Sequence, residues 1–241
     1  MNSTKNPPEV VLCATCGVER DAAALPPLCP ICVDERQWIP AEGQLWLTRA
    51  DLDQLRVRSY LVELEPGLFG ISIVGGPGLN QQAKVVVTEQ GNVMVDVPAW
   101  INDDIVAQVA ELGPMAAIVP SHPHMYGLQS QWSARLDAPV WLARQDLDWL
   151  GARPRLVHEF DDTTEIVPGV TVAVPGGHFP GSIVVHWPGS DGAGVLLTAM
   201  WATASLVGGE FIPYWPLVPL GIWAAVLLAS AIWPGDAEPP A

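Results

Sequence analysis

The order of elements along the chain predicts a layered α/β (α+β) sandwich preceded by a small metal-bound ribbon. Three observations carry that prediction. Many strand patterns come first, followed by strands alternating with short helices, which fits stacked layers better than one doubly wound sheet. The only cysteines, Cys13, Cys16, Cys29 and Cys32, are crowded near the amino end. Two histidines, His122 and His124, flank Pro123 directly after the apolar run 115–119.

Composition bounds the rest. With 241 residues, 49% apolar and 15% charged, the chain can bury a substantial core and is not a disordered polymer. Its formal net charge is −15. A surface that acidic repels phosphate backbones, so the expected partner is a small-molecule substrate and not nucleic acid. Residues 1–8 lack the apolar segment of a secretion signal, so the expected location is the cytoplasm.

The cysteines form two pairs of C-x2-C spacing separated by twelve residues. Each such turn offers two thiolates converging on one ion, and zinc takes four soft tetrahedral ligands. Gly17 follows the first pair and Pro30 sits inside the second, as tight turns require. Two redox pairs or two disulfides are the alternatives. A redox pair opens a helix in a thioredoxin-like unit, which is not visible here, and a chain without a secretion signal disfavours disulfides. A closed four-cysteine site serves folding. A segment of ~40 residues scarcely builds a core alone. The ribbon is therefore assigned to residues 1–40.

Beyond it, 48–58 reads as a short helix, with Thr48 as N-cap and Asp51 three residues on. Residues 60–64 and 68–74 read as strands. Residues 84–88 and 92–97 read as a hairpin around Glu89-Gln90-Gly91. Apolar residues at 105, 106, 109, 110 and 112 give 102–112 a helical period, stopped by Gly113-Pro114. The strand 115–119 delivers the histidines. Helix 131–136, strand 140–142, helix 144–150 and strands 170–174, 182–187 and 195–198 complete the order.

In an extended backbone, side chains at i and i+2 share a face, so His122 and His124 can converge on one point. A solvated proline turn is the plain alternative. A third histidine, His178, sits in the Gly/Pro-rich turn Pro175-Gly176-Gly177-His178-Phe179-Pro180-Gly181. Three imidazoles with water in the fourth position are a common catalytic zinc set. His186 sits in an alternating strand and His158 beside Glu159, and both read as ordinary residues and not as ligands.

These features resemble the metallo-β-lactamase superfamily over roughly residues 60–200. The matching parts are the strand 92–96 ending in Asp96, the His122-Pro123-His124 loop, the Gly177-His178-Phe179-Pro180-Gly181-Ser182 turn and the strand 195–198. The chain is similar, more narrowly, to a branch that joins an N-terminal zinc ribbon to a domain whose motif reads Ser-His-Pro-His. The segments 30–46 and 121–126 carry that closer match. The resemblance implies an αββα sandwich, here incomplete at its carboxyl end, over residues 41–200. It also implies His122, His124 and His178 as metal ligands. Asp96 is implied as a carboxylate beside them, with a loop-capping Asp as the alternative. Two departures stand out. The superfamily motif is His-X-His-X-Asp-His, whose last two residues bind a second metal; Tyr126 and Gly127 occupy those places. The superfamily's later Thr-Gly-Asp, whose Asp bridges the metals, is replaced by Thr198-Ala199-Met200.

From Ala199 the composition changes. Residues 201–241 form an atypical tail, and 211–233 is an uncharged, largely apolar run of 23 residues. That length spans a bilayer core, although Pro213, Pro216 and Pro219 interrupt it and no Lys or Arg flanks it. Two explanations stand side by side. One is membrane contact through 211–233. The other is a shifted reading frame, since Thr-Gly-Asp codons become Thr-Ala-Met on loss of one G.

The function expected is that of a metal-dependent hydrolase. Zinc held by His122, His124 and His178 would lower the pKa of bound water toward ~7 for attack on an ester, thioester, lactam or phosphoester-like centre. Asp96 and Tyr126 are the nearest candidates for proton transfer. The alternative is a degenerate, non-catalytic lactamase-like binding protein with zinc only at Cys13, Cys16, Cys29 and Cys32. The sequence leaves substrate and oligomeric state open.

Overall fold

The structure, a computed structural model, describes residues 10–34, 37, 39–177, 179–189 and 195–196. His178, the Thr198-Ala199-Met200 junction and the apolar run 211–233 lie outside the described residues. Among the described residues, no helix is long and apolar enough to cross a membrane.

The amino-terminal part is a small sheet of order β2-β1-β3, from β1 (Val10–Cys13), β2 (Glu19–Asp21) and β3 (Trp46–Leu47). Antiparallel pairing sets Leu12 opposite Glu19 on one side and Leu47 on the other. The third strand thus comes from beyond residue 40. The first cysteine turn closes by a bond from Gly17 N to Cys13 O of 2.8 Å. Gly17 has φ +74, and a Cβ there would fall 2.4 Å from the Ala99 Cβ. Only glycine meets both demands, the left-handed backbone and the close approach to the larger domain.

α1 (Arg49–Gln54) begins at Thr48 with the expected capping box to Asp51. Next comes a seven-stranded sheet of order β10-β9-β8-β7-β6-β5-β4. β4 (Arg58–Glu65), β5 (Leu68–Val74), β6 (Ala83–Val86) and β7 (Asn92–Val95) form an antiparallel meander. β8 (Met115–Val119), β9 (Val140–Ala143) and β10 (Val157–Phe160) continue it in parallel. Parallel neighbours need crossovers. α2 (Asp103–Glu111) and α3 (Gln129–Leu136) supply the first two, and a 3-10 segment (Arg144–Trp149) lies in the third. A second, antiparallel sheet of order β11-β12-β13-β14 follows, from β11 (Thr164–Val167), β12 (Val170–Ala173), β13 (Val184–His186) and β14 (Val195–Leu196).

Two cores hold these layers. Ile105, Val109 and Trp132 from the helices pack with Ile71, Met94, Ile118 and Val140 of the large sheet. On the other face, Val86, Val93, Val95, Ala117 and Val119 meet Val170, Val172, Ile183 and Val185 of the second sheet. The fold is therefore a mixed α+β sandwich of helices, sheet and sheet. The second helical layer of the expected αββα order is not among the described residues. β1, β2, β3, β10 and β11 were not expected from the sequence. The first three are too short to show a period, and in 157–160 and 164–167 charged and polar residues break up the apolar alternation. His158 stacks on Trp141 with ring centroids 4.6 Å apart, and His186 lies exposed on β13.

Candidate metal centres

The histidine loop grows out of β8. That strand is buried between β7 and β9, so its carboxyl end opens at the rim of the sheet with Ser121, His122 and His124 all buried. His122 is extended, but Pro123–Met125 turns at once into a 3-10 helix. This corrects the extended-chain expectation: a tight turn places His124, because a proline's fixed φ suits the first position of a helical turn. Met125 N donates to His122 O at 2.8 Å and closes it. The rings meet edge to face, with centroids 5.5 Å apart. Ser121 Oγ lies 3.0 Å from His122 Nδ1.

Asp96 holds the start of this loop. It ends β7 with φ +62, an uncommon left-handed conformation for a residue with a side chain. Its backbone N donates to Val119 O at 3.1 Å, and its Oδ1 accepts from Ser121 N at 2.9 Å. Burial pushes its carboxyl above the usual carboxylate range, against hydrogen bonds from Ser121 and the charge of Lys84, which pull it down. The structure thus places Asp96 as a clamp on the loop beside the histidines.

Tyr126 lies beneath the loop. Its hydroxyl donates to the backbone O of Asp146 at 2.9 Å, and burial raises the phenol well above its ordinary range. Gly127 has φ +46, and a Cβ there would stand 2.2 Å from Val97 O. The position that carries a ligand in the superfamily motif has no room here for a side chain.

The turn from the second sheet reaches the same place. The Phe179 ring stacks on His122 with centroids 6.0 Å apart and meets His124 edge-on at 5.2 Å and Trp149 at 5.1 Å. Ile183 N donates to Ser121 O at 3.0 Å. The chain neighbour of His178 is therefore packed on the pair, although His178 itself is outside the described residues. Sequence reasoning missed Asp146, which is 1% exposed and accepts a hydrogen bond from Gly181 N at 2.9 Å. No local pattern marks it; an aspartate in a short helical stretch looks like any solvated one.

The second centre is the cysteine cluster. The four sulfur atoms lie within 4.8 Å of one another. Cys13 Sγ is 3.6 Å from Cys32 Sγ, and Cys16 Sγ is 3.7 Å from Cys29 Sγ. Thiolates at ~2.3 Å around a tetrahedral ion stand about 3.8 Å apart. The donor set and spacing therefore fit a metal ion. Gln44 braces it: Nε2 donates to Cys13 Sγ at 3.3 Å, and Oε1 accepts from Cys29 N at 3.0 Å. Hydrogen bonds from Cys16, Cys29 and Cys32 hold the Cys13 thiol well below its usual range. The same crowding, with burial, pushes Cys16 up.

The two centres share one framework. Glu19 N donates to Gly127 O at 3.0 Å, directly after the histidine loop. The fully buried Glu19 carboxylate accepts from Ser130 N and, at 2.7 Å, from Ser130 Oγ.

No family model matches the chain. "Uncharacterized protein YmaE" of Bacillus subtilis (strain 168) is 34% identical over 191 residues, which is 78% of this chain and 70% of that protein. Solved metallo-β-lactamases are similar over part of the chain. One, from Cronobacter sakazakii and bearing a HARLDQ motif, is 22% identical over 55% of each chain, with a TM-score of 0.42. The DIM-1 metallo-β-lactamase is 16% identical over 56% of this chain and 67% of its own, with a TM-score of 0.46. The chain spans about half the length of the Cronobacter protein (55%).

Proposed function

The chain belongs to the same family as Bacillus subtilis YmaE; from the geometry of its histidine loop we propose that it is a metal-dependent hydrolase of metallo-β-lactamase type. The observation that carries this reading is the buried approach of His122 and His124 at the carboxyl end of a parallel strand, 5.5 Å between ring centroids. The turn at Phe179 closes over them. His178 is the proposed third ligand, and zinc the proposed ion at both centres, since imidazole and thiolate donors suit it.

A zinc ion with three imidazole ligands supplies Lewis acidity and an acidified water. The chain's own groups do the rest. With the Nδ1 proton on His122, Ser121 Oγ would accept it, and Nε2 would be the atom to hold the ion. Asp96 keeps Ser121 in place to do so. Phe179 and Trp149 form an apolar wall that limits water at the histidines. The proposed substrate is a small molecule with an electrophilic carbonyl or phosphoryl centre: an ester, thioester, lactam or phosphoester. The site is proposed to work with one metal, because Tyr126 is spent on Asp146 O and Gly127 has no space for a ligand.

The absence of a metal ligand at Tyr126 and Gly127 favours a second reading, a non-catalytic binding protein with zinc in the ribbon alone. Metal analysis separates the two. The hydrolase reading expects about two zinc ions per full-length chain and one after His122→Ala with His124→Ala. A single zinc that the double substitution leaves untouched would overturn it. A screen of ester, thioester, lactam and phosphodiester substrates then identifies the reaction.

A further inference from the structure

We propose that Gln44 is a positioning residue for the metal of the ribbon: its side-chain amide joins the two cysteine turns and donates to one of the four sulfurs. This rests on zinc in the ribbon, which both functional readings above share, and not on the histidine site.

Each cysteine turn closes on itself. Gly17 N donates to Cys13 O at 2.8 Å in the first, and Cys32 N donates to Cys29 O at 3.0 Å in the second. Among the described residues, no backbone hydrogen bond joins 13–18 to 29–33. Yet the sulfurs pair across the turns, Cys13 with Cys32 and Cys16 with Cys29. A four-sulfur site spread over two turns keeps its geometry only if something fixes one turn against the other. Thiolates brought together also repel, unless an ion or a hydrogen-bond donor offsets their charge.

Gln44 meets both needs from a third place in the chain. Residues 40–43 form a turn, closed by Gly43 N on Pro40 O at 2.8 Å, in which Gly43 takes φ +96. β3 then pairs with β1, with Cys13 opposite Trp46, which brings position 44 alongside the first cysteine turn. Leu45 O accepts from Ala14 N at 3.0 Å and locks that approach. From there Oε1 accepts Cys29 N at 3.0 Å, in the second turn. Nε2 donates to Cys13 Sγ at 3.3 Å, in the first, and to Leu45 O at 3.0 Å. A flipped amide would set N–H against N–H at Cys29 and oxygen against sulfur at Cys13, so its orientation is fixed. The residue type follows from the same contacts. A glutamate would still accept from Cys29 N, but would set a negative oxygen against the Cys13 sulfur. Donation to Cys13 draws charge off that thiolate and eases the repulsion among the four.

The test uses full-length, reduced Gln44→Ala and Gln44→Glu chains, stripped of metal, titrated with cobalt(II) and then competed with zinc. Cobalt on thiolates absorbs in the near ultraviolet and cobalt on imidazoles does not, so the band reports the ribbon alone. Zinc affinity at the thiolates is expected to fall by about 10- to 100-fold in both variants. The band is expected to move to longer wavelength in both, since a sulfur without a donor gives charge to cobalt more easily. Circular dichroism at saturating zinc monitors folding. If Gln44→Ala does not fold, Gln44→Glu decides alone, being nearly the same size and still an acceptor for Cys29 N. Wild-type affinity in a folded variant would overturn the inference. An affinity loss with the band unmoved would overturn it too, because lost packing alone has that effect. A wild-type chain with no thiolate band would overturn zinc in the ribbon, and the inference with it.

Discussion

At the scale of single residues, Glu19 shows how burial converts into a measurable property. Its carboxyl is pushed up to about 7 by burial, against the Ser130 hydrogen bonds that pull it down. The ordinary value is 4.5. Between the two, the folded chain keeps a proton that the unfolded chain has released. Glu19 therefore contributes stability that is full below about pH 4.5 and is lost as pH rises through about 7. At about 1.4 kcal/mol per pKa unit, the loss is on the order of 3 kcal/mol. Urea midpoints of the metal-saturated protein at pH 5 and pH 8 check this. The wild type is expected to lose more between them than Glu19→Gln, which has no proton to release. Equal losses would mean that Glu19 titrates normally. Nothing in the local sequence hints at this residue, which opens the charged run Glu19-Arg20-Asp21. Its burial comes from docking against residues 127–130, more than a hundred positions away.

At the scale of elements, the legible parts were those whose signal is local. The capping box at Thr48, the strands Leu68–Val74 and Met115–Val119, and the helix after Asn102 all follow from residues within one turn or one strand. The histidine loop was half legible. Its ligand types and spacing were plain, but the 3-10 turn was not, because a period of two presumes that the strand continues. The turn's exit is equally specific. Gly127 joins the loop to α3 with φ +46 and only 2.2 Å between a Cβ and Val97 O. Gly127→Ala is expected to cost on the order of 3 kcal/mol or more, since it adds backbone strain to a clash with a carbonyl that cannot swing away. Chemical denaturation reads that loss. A cost below about 1 kcal/mol would mean that the loop has slack.

At the scale of the molecule, the ribbon and the sandwich share a core. Cys13, Cys16, Cys29 and Cys32 are buried in the same cluster as Ile71, Met94 and Val97. Metal in the ribbon is thus expected to stabilise residues 10–177 as one cooperative unit. Calorimetry with and without a chelator, under reducing conditions, should show a single transition for this unit that falls by roughly 10 °C on metal removal. Two separate transitions, with the sandwich unmoved, would make the ribbon an independent module. The sequence by itself determined the donor chemistry: two C-x2-C turns, a His-Pro-His loop and a histidine in a glycine turn, each a property of a few adjacent residues. It also determined the layered α+β class, through strand and helix periods. Only the tertiary structure decided that the two cysteine pairs meet and that Tyr126 is spent on Asp146. Packing likewise put Gly127 where a Cβ would meet Val97 O, and Asp146 where it bonds both Tyr126 and Gly181. Those outcomes depend on contacts between segments far apart in the chain, which packing selects and no local pattern encodes.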